Sequence, residues 1–168
     1  VLQCASVIGR LFRYRILEHL ARHERNLESY LSKLEERELI NEERTIPELE
    51  YAFRHALTQE ATYQSILEQR RQEFHHQVAV GIEGLYVQRI EEYYEELAYH
   101  YSRSHDIVKA IEYLQKAGEK AIKLYANRDA IAYFTKGLEL LKKLPDAMEK
   151  AQQELALQVA LGAPLIAT

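Results

Sequence analysis

The sequence predicts a mainly α protein in which a small head of three helices and a β-hairpin precedes a run of antiparallel helical hairpins. Three observations carry this. Only three prolines and six glycines interrupt 168 residues, while Ala, Leu, Glu, Lys, Arg and Gln fill the long stretches between them, the usage of helices rather than strands. Apolar residues recur three or four apart through most of the chain, with one alternating run near residue 50. Small residues recur twelve apart in the second half, at Ala98 and Ala110 and again at Gly118 and Ala130, where two antiparallel helices can cross closely because neither carries bulk.

The elements follow in order. Leu2 to Phe12 and Ile16 to Ala21 are short apolar-periodic segments, and a third runs through Leu27, Leu31, Leu34 and Leu39-Ile40 with Asn26 placed to cap it. Next come Leu39-Ile-Asn-Glu-Glu-Arg44 and the alternating Leu49-Glu-Tyr-Ala-Phe-Arg54, joined through Pro47. A short antiparallel hairpin is the economical reading, and three short helices followed by a hairpin describe a winged helix. After Arg54 helical spacing returns at Leu57, Ala61, Ile66, Phe74, Val78, Ile82 and Leu85. This predicts one long helix or two abutting ones broken near Glu68 to Arg71. From Ile90 helices recur about every 20 residues, with Asp106 and Asn127 as N-caps and Leu144-Pro145-Asp146 ending one helix and capping the next. A pair thus occupies about 40 residues rather than the 34 of the tetratricopeptide repeat, and the array is tetratricopeptide-like. The expected domains are a winged helix over 1–56, connecting helices over 57–89 and a truncated array of helical repeats over 90–168.

Composition narrows the function. A 47% hydrophobic, 29% charged chain is an ordinary globular mixture. Charge interrupts the apolar runs well before the roughly 20 residues that span a bilayer, and no leader pattern opens the chain. With Cys4 as the single cysteine, no intrachain disulfide or cysteine-based zinc site can form; the expected location is the cytoplasm, without a membrane partner. The chain opens on Val1 and stops at Thr168 with an amphipathic pattern running close to its end, and it is expected to be a segment of a longer protein. A net charge of −4 gives no general attraction to nucleic acid.

No constellation of an enzyme is present in the sequence. There is no Gly-x-x-x-x-Gly-Lys-Ser/Thr loop, no Gly-x-Ser-x-Gly elbow and no His-Glu-x-x-His pair. His19 and His23 share a helix face but lack a third ligand, so two solvated histidines are the plainer reading and no metal is expected. Adjacent His75 and His76 diverge on a helix, one packing and one facing water. Glu35-Glu36 and Glu91-Glu92 read as solvated faces. The twelve tyrosines suit helix packing, and some of them a concave peptide-binding groove. The third helix, Leu27 to Glu38, would be the one to enter a DNA major groove, yet it sets Glu28, Glu35, Glu36 and Glu38 against Lys33 and Arg37. An acidic helix meets phosphates with repulsion. Arg10, Arg13, Arg15, Arg22 and Arg25 make the first helices basic, which suits a protein or nucleotide-domain interface as well as DNA.

At FRHALTQEATYQSILEQRRQEFHHQVA the sequence resembles bacterial signalling ATPases of the STAND type, AAA/NACHT-like switches often fused to adenylate or guanylate cyclase domains and tetratricopeptide repeats. QCASVIGRLF, YHYSRSHDIVKAIEYLQKAGEKAIKLYANRDAIAYFTKGLELLKKLP and QELALQVALGAPLIAT extend the resemblance over nearly the whole chain. It implies a segment following a P-loop ATPase domain and its helical lid. In related apoptosome and plant disease-resistance switches, a Met-His-Asp motif just past the wing touches the nucleotide's phosphates. Phe53-Arg-His55-Ala-Leu57 is similar, with Arg54 in place of Met and Ala56 in place of Asp. The resemblance therefore implies that His55 contacts the phosphates of ADP or ATP bound in the parent's ATPase domain.

Independently of the resemblance, a histidine at a helix N-terminus lies among unpaired N–H groups and a positive dipole end, a natural place for an anion. A backbone-bonded corner residue that holds the wing is the alternative. The expected function is a non-catalytic regulatory segment of a signal-transduction ATPase. It binds no cofactor itself, couples nucleotide state to protein or ligand binding by the repeats, and has its own ATPase domain and protein or peptide partners as contacts. The alternative is a winged-helix DNA-binding transcriptional regulator with a helical effector-binding domain.

Overall fold

The structure is a computed structural model that describes residues 1–145 and 148–166, without the side chains of 148 and 149. It is mainly helical with a small antiparallel sheet, and it divides into two compact units, Val1–Gln88 and Arg89–Thr168.

The first unit runs α1 (Leu2–Ile8), β1 (Leu11–Arg13), α2 (Tyr14–Leu20), α3 (Leu27–Glu36), β2 (Ile40–Arg44), β3 (Glu50–Phe53), α4 (Ala56–Gln64) and α5 (Glu68–Leu85). The sheet order β1-β3-β2, antiparallel throughout, together with this element order, is the winged-helix arrangement. The first strand corrects the expectation of a helical segment from Leu2 to Phe12. Helix α1 stops at Ile8 because Gly9 takes φ 150°, a region that side chains avoid. Phe12 then pairs with Tyr51 across the sheet and packs on the Tyr51 and Phe53 rings at centroid distances of 5.8 and 5.7 Å. Burial of these aromatics is a larger gain than one more helical turn.

Helix α3 ends earlier than the expected Glu38. Glu38 adopts φ 56°, its N–H donates to the Glu35 carbonyl at 2.8 Å, and the Leu39 N–H donates to the Leu34 carbonyl at 3.0 Å. This paired closure satisfies orphan carbonyls and turns the chain into β2, although glycine more commonly occupies the left-handed position. Asn26 stands at the N-cap of α3 but makes no side-chain capping bond.

Two helices follow the wing, and the break falls at Ser65 to Leu67 rather than at Glu68 to Arg71. Leu67 is extended, with φ −58° and ψ 140°, while Ile66 tucks into the core. Residues 57–88 lie with the first unit: α4 packs on α1 and β3, and α5 packs on α1 and α2. The center of the unit is built from Ile16 and Leu17 of α2 and Val78, Ala79 and Ile82 of α5, all sealed from solvent.

A kinked 3-10 turn, Val87–Tyr93, carries the chain into the second unit, which continues through α6 (Tyr94–Tyr101), α7 (Ile107–Lys123), α8 (Asn127–Leu141) and α9 (Met148–Ile166). Each helix packs on the next across a short connection, so successive helices are antiparallel. Ala98, Ala110 and Ala130 are buried as the spacing requires, and the Phe134 ring rests on Gly118. Asp106 caps α7 by accepting from the Lys109 N–H at 3.0 Å. Asn127 is the first residue of α8, and Ala126 occupies the cap. The cap expected at Asp146 lies outside the described residues.

Two glycines test this packing. A Cβ at Gly118 would sit 2.5 to 2.9 Å from three atoms of Phe134, which is itself fully buried, whereas one at Gly84 on α5 meets nothing within 4 Å. Gly118→Ala is expected to destabilise the second unit by about 1–3 kcal/mol through overpacking, outweighing its helix-propensity gain. Gly84→Ala is expected to stabilise the first unit by roughly 0.5–1 kcal/mol. Urea denaturation followed by helical circular dichroism measures both.

Candidate functional site

His55 stands where the wing becomes a helix. Phe53, the last residue of β3, is 1% exposed and its N–H donates to the Arg10 carbonyl at 2.8 Å. One residue on, the Arg54 N–H donates to the Leu39 carbonyl at 3.0 Å and its guanidinium meets Glu38 at 3.1 Å on the surface. His55 is thereby delivered in an extended conformation, φ −124° and ψ 128°, as the N-cap of α4. Its carbonyl accepts from the N–H groups of Thr58 and Gln59 at 3.0 and 3.4 Å, while its ring makes no capping bond and is exposed. The backbone, not the imidazole, ties the corner. The N–H groups of Ala56 and Leu57 precede the first intrahelical acceptors, and Leu57 is itself 78% exposed beside the histidine.

None of the residues of the helix that follows is fully buried. The Gln59 amide donates to the Ser6 carbonyl of α1 at 2.7 Å. At the other end the Tyr63 hydroxyl and His75 Nε2 are 3.0 Å apart, with Arg71 over the Tyr63 ring at 5.1 Å and bonded to the Gln64 amide oxygen at 3.2 Å. His75 is the packed member of the adjacent histidine pair, and His76 is half-buried.

The remaining sequence candidates separate into other surfaces. His19 and His23 line a cleft of about 250 Å³ between α2 and α5 together with Glu73 and His76. These are additional donors that sequence spacing could not connect to α2. Even so, no group of three or more His, Cys, Asp or Glu among the described residues is arranged to hold a metal ion. The His19 ring is used in packing, since a Cβ on Gly81 of α5 would come within 2.9 Å of its Cδ2.

Helix α3 and its C-cap expose Glu28, Lys33, Glu36 and Arg37, with Glu35 half-buried. Burial, and then the carboxylates of Glu35 and Glu42, push the Tyr51 phenol above its ordinary range; burial, followed by Glu18 and Glu28, does the same to Tyr14. The face around α3 and β2 is acidic. Of the arginines in the first helices, Arg13 lies 3.3 Å from Glu48 and 3.8 Å from Glu50, whereas Arg10, Arg15, Arg22 and Arg25 are exposed.

In the second unit Tyr101 and Tyr113 stack at 5.5 Å, with Lys116 over Tyr113 at 4.8 Å. Glu91 and Glu92 are exposed, as a solvated face requires, and they border an open cleft of about 490 Å³ with Tyr94, Lys116, Glu119, Lys120 and Lys123. The Lys120 ammonium donates to the Glu91 carbonyl and the Glu95 carboxylate, both at 2.9 Å. The packing of α6 on α7 brings these charges together, and residue spacing within either helix does not reveal it.

Among the described residues no helix is long and apolar enough to cross a membrane. Comparison of the chain with family models, curated proteins and solved structures returned no match.

Tyr63→Phe deletes the hydroxyl that meets His75 and leaves the ring in place. The expected loss is about 1 kcal/mol in the unfolding of the first unit, accompanied by faster amide exchange in α4 than in α5, both measurable by hydrogen-exchange mass spectrometry.

Proposed function

We propose that the chain is a non-catalytic coupling segment of a STAND-type signalling ATPase, in which the winged helix reads nucleotide state and the helical array receives a protein or peptide signal. The observation that carries this is His55: an exposed imidazole with no capping bond, at the mouth of a helix N-terminus, immediately after a buried strand. In the resting state the ring contacts the phosphates of ADP held by the parent's ATPase domain, reinforced by the helix end. Signal binding to the array and exchange to ATP release that contact. Such a switch works only if the ligand binds the two states with different affinities.

Stacked helical hairpins favour a peptide-binding role for the array, and its cleft beside Tyr94 carries both signs of charge, Glu91, Glu92 and Glu119 with Lys116, Lys120 and Lys123. The transcriptional-regulator alternative is disfavoured by the acidic surface of α3 and β2, which would meet DNA with like charge. Cytoplasmic location and the absence of a cofactor in this segment are parts of the same proposal.

In the parent protein, His55→Ala is expected to accelerate ADP release about 10-fold or more and to raise signalling without stimulus, at an unchanged melting temperature because the ring is exposed. Release measured with a fluorescent ADP analogue decides it: an unchanged rate makes His55 a surface residue and removes the phosphate contact. The segment alone is expected to leave duplex DNA unshifted on native gels at roughly 50–150 mM salt; retardation that weakens steeply with salt would restore the regulator reading.

A further inference from the structure

Helix α4 has little to hold it, either in its own sequence or in its packing. It is nine residues long, without a side-chain bond at its N-cap, an acidic residue in its first turn or a basic one in its last. A helix shorter than about 12–15 residues is marginal in water on its own, and α4 lacks the terminal charges that would offset this. Its half-buried positions are Thr58, Gln59, Thr62 and Tyr63, which share one face of the helix. The other face, Ala56, Leu57, Glu60, Ala61 and Gln64, is exposed, so the one leucine of the helix adds little to the core. In α5, by contrast, six of 18 residues are buried.

The hydrogen bonds of α4 divide in the same sense. The Thr62 hydroxyl donates to the Thr58 carbonyl at 2.7 Å and the Ser65 hydroxyl to the Thr62 carbonyl at 2.6 Å, both local to the helix. Three side-chain bonds leave it, from Gln59 to Ser6, between Tyr63 and His75, and from Arg71 to Gln64, and these are part-buried or exposed. Water entering at such sites replaces the partner at small net cost. On either side the chain is firmly held, by Phe53 at 1% exposure and Ile66 at 3%.

We propose that α4 is a strap that undocks and melts as a unit between these two anchors, while the sheet and α5 stay folded, and that nucleotide phosphate on His55 holds it closed. The second half rests on the phosphate contact proposed above. His55 keeps its extended N-cap geometry, with its carbonyl accepting from Thr58 and Gln59, only while α4 is helical. A ligand that needs this geometry shifts α4 toward the docked state, and undocking in turn weakens the hold on the ligand. The switch then has a moving part, an order–disorder segment next to a fixed strand.

Native-state hydrogen exchange of the chain in sub-denaturing urea tests the strap. Amides of α4 are expected to have protection about 100-fold or more below that of Val78, Ala79 and Ile82, with little urea dependence because their opening exposes little surface. Ala61→Pro, at an exposed position inside α4, should remove the protection of α4 while Val78, Ala79 and Ile82 stay protected. A shared, urea-dependent opening of α4 with α5 overturns the proposal, and so does loss of α5 protection in Ala61→Pro. In the parent protein, ADP is expected to slow α4 exchange about 10-fold, and Ala61→Pro to weaken ADP binding by a similar factor. Equal α4 exchange with and without ADP overturns the coupling of strap to nucleotide, and the ADP release rate of His55→Ala then decides the phosphate contact separately.

Discussion

The burial of β3 is the constraint on which the first unit depends. All four residues of this strand are buried, including Glu50. The strand has neighbours on both edges, β1 paired at Leu11–Arg13 and β2 at Ile40–Arg44. Because side chains alternate between faces, a slip of one residue would exchange the faces of Phe53 and Tyr51 with that of Ala52. The Phe12 contacts make such a slip costly. Glu50 is kept by Arg13 and Arg44, each at 3.8 Å, while Arg13 also approaches Glu48, whose other oxygen accepts from the Tyr86 hydroxyl at 2.7 Å. The sheet is thereby joined to the C-terminal end of α5 through charged hydrogen-bonding groups of the kind that tolerate partial burial only when paired.

What this constraint delivers is the position of His55. The chain leaves β3 at Phe53, which cannot move without opening the aromatic cluster, and reaches the N-cap of α4 two residues later. A side chain two peptides from so firm an anchor has a defined location even though its ring has no capping bond. By contrast, α4 itself contributes no fully buried residue and is held at its two ends by Gln59 on Ser6 and Tyr63 on His75. Segments with few buried apolar contacts lie at the low end of local stability. The histidine therefore sits at the junction between a rigid strand and a helix with a small stake in the core.

Much of this was legible in the sequence, and what escaped has identifiable physical causes. Three helices with a hairpin, the helical pair after the wing and the hairpins beyond residue 90 all follow from period and punctuation. So does the position of His55, since alternation ends at Phe53 and helical spacing begins at Leu57. The strand β1 escaped because three residues are too few to display a period, and Phe12 fits a helical register as well as an extended one. The break at Ser65 to Leu67 carries neither proline nor glycine, and it is set by the burial of Ile66. Side-chain ties across elements, such as Tyr63 with His75, or Glu91 and Glu92 beside the lysines of α7, have no sequence signal, because they depend on which helix faces which.

In the second unit the organising rule is simpler. Gly118 and Gly137 each lie under a large side chain of the next helix, Phe134 and Leu157 respectively. A hollow on one helix filled from its successor fixes both the distance and the axial register of the pair, since the bulky residue fits at only one point along the groove. At both points the contact is directional along the chain: α7 and α8 each receive a side chain from the helix that follows. Such an array carries its own means of extension, because any helix that presents a small residue between large aliphatics can take up a partner by the same geometry.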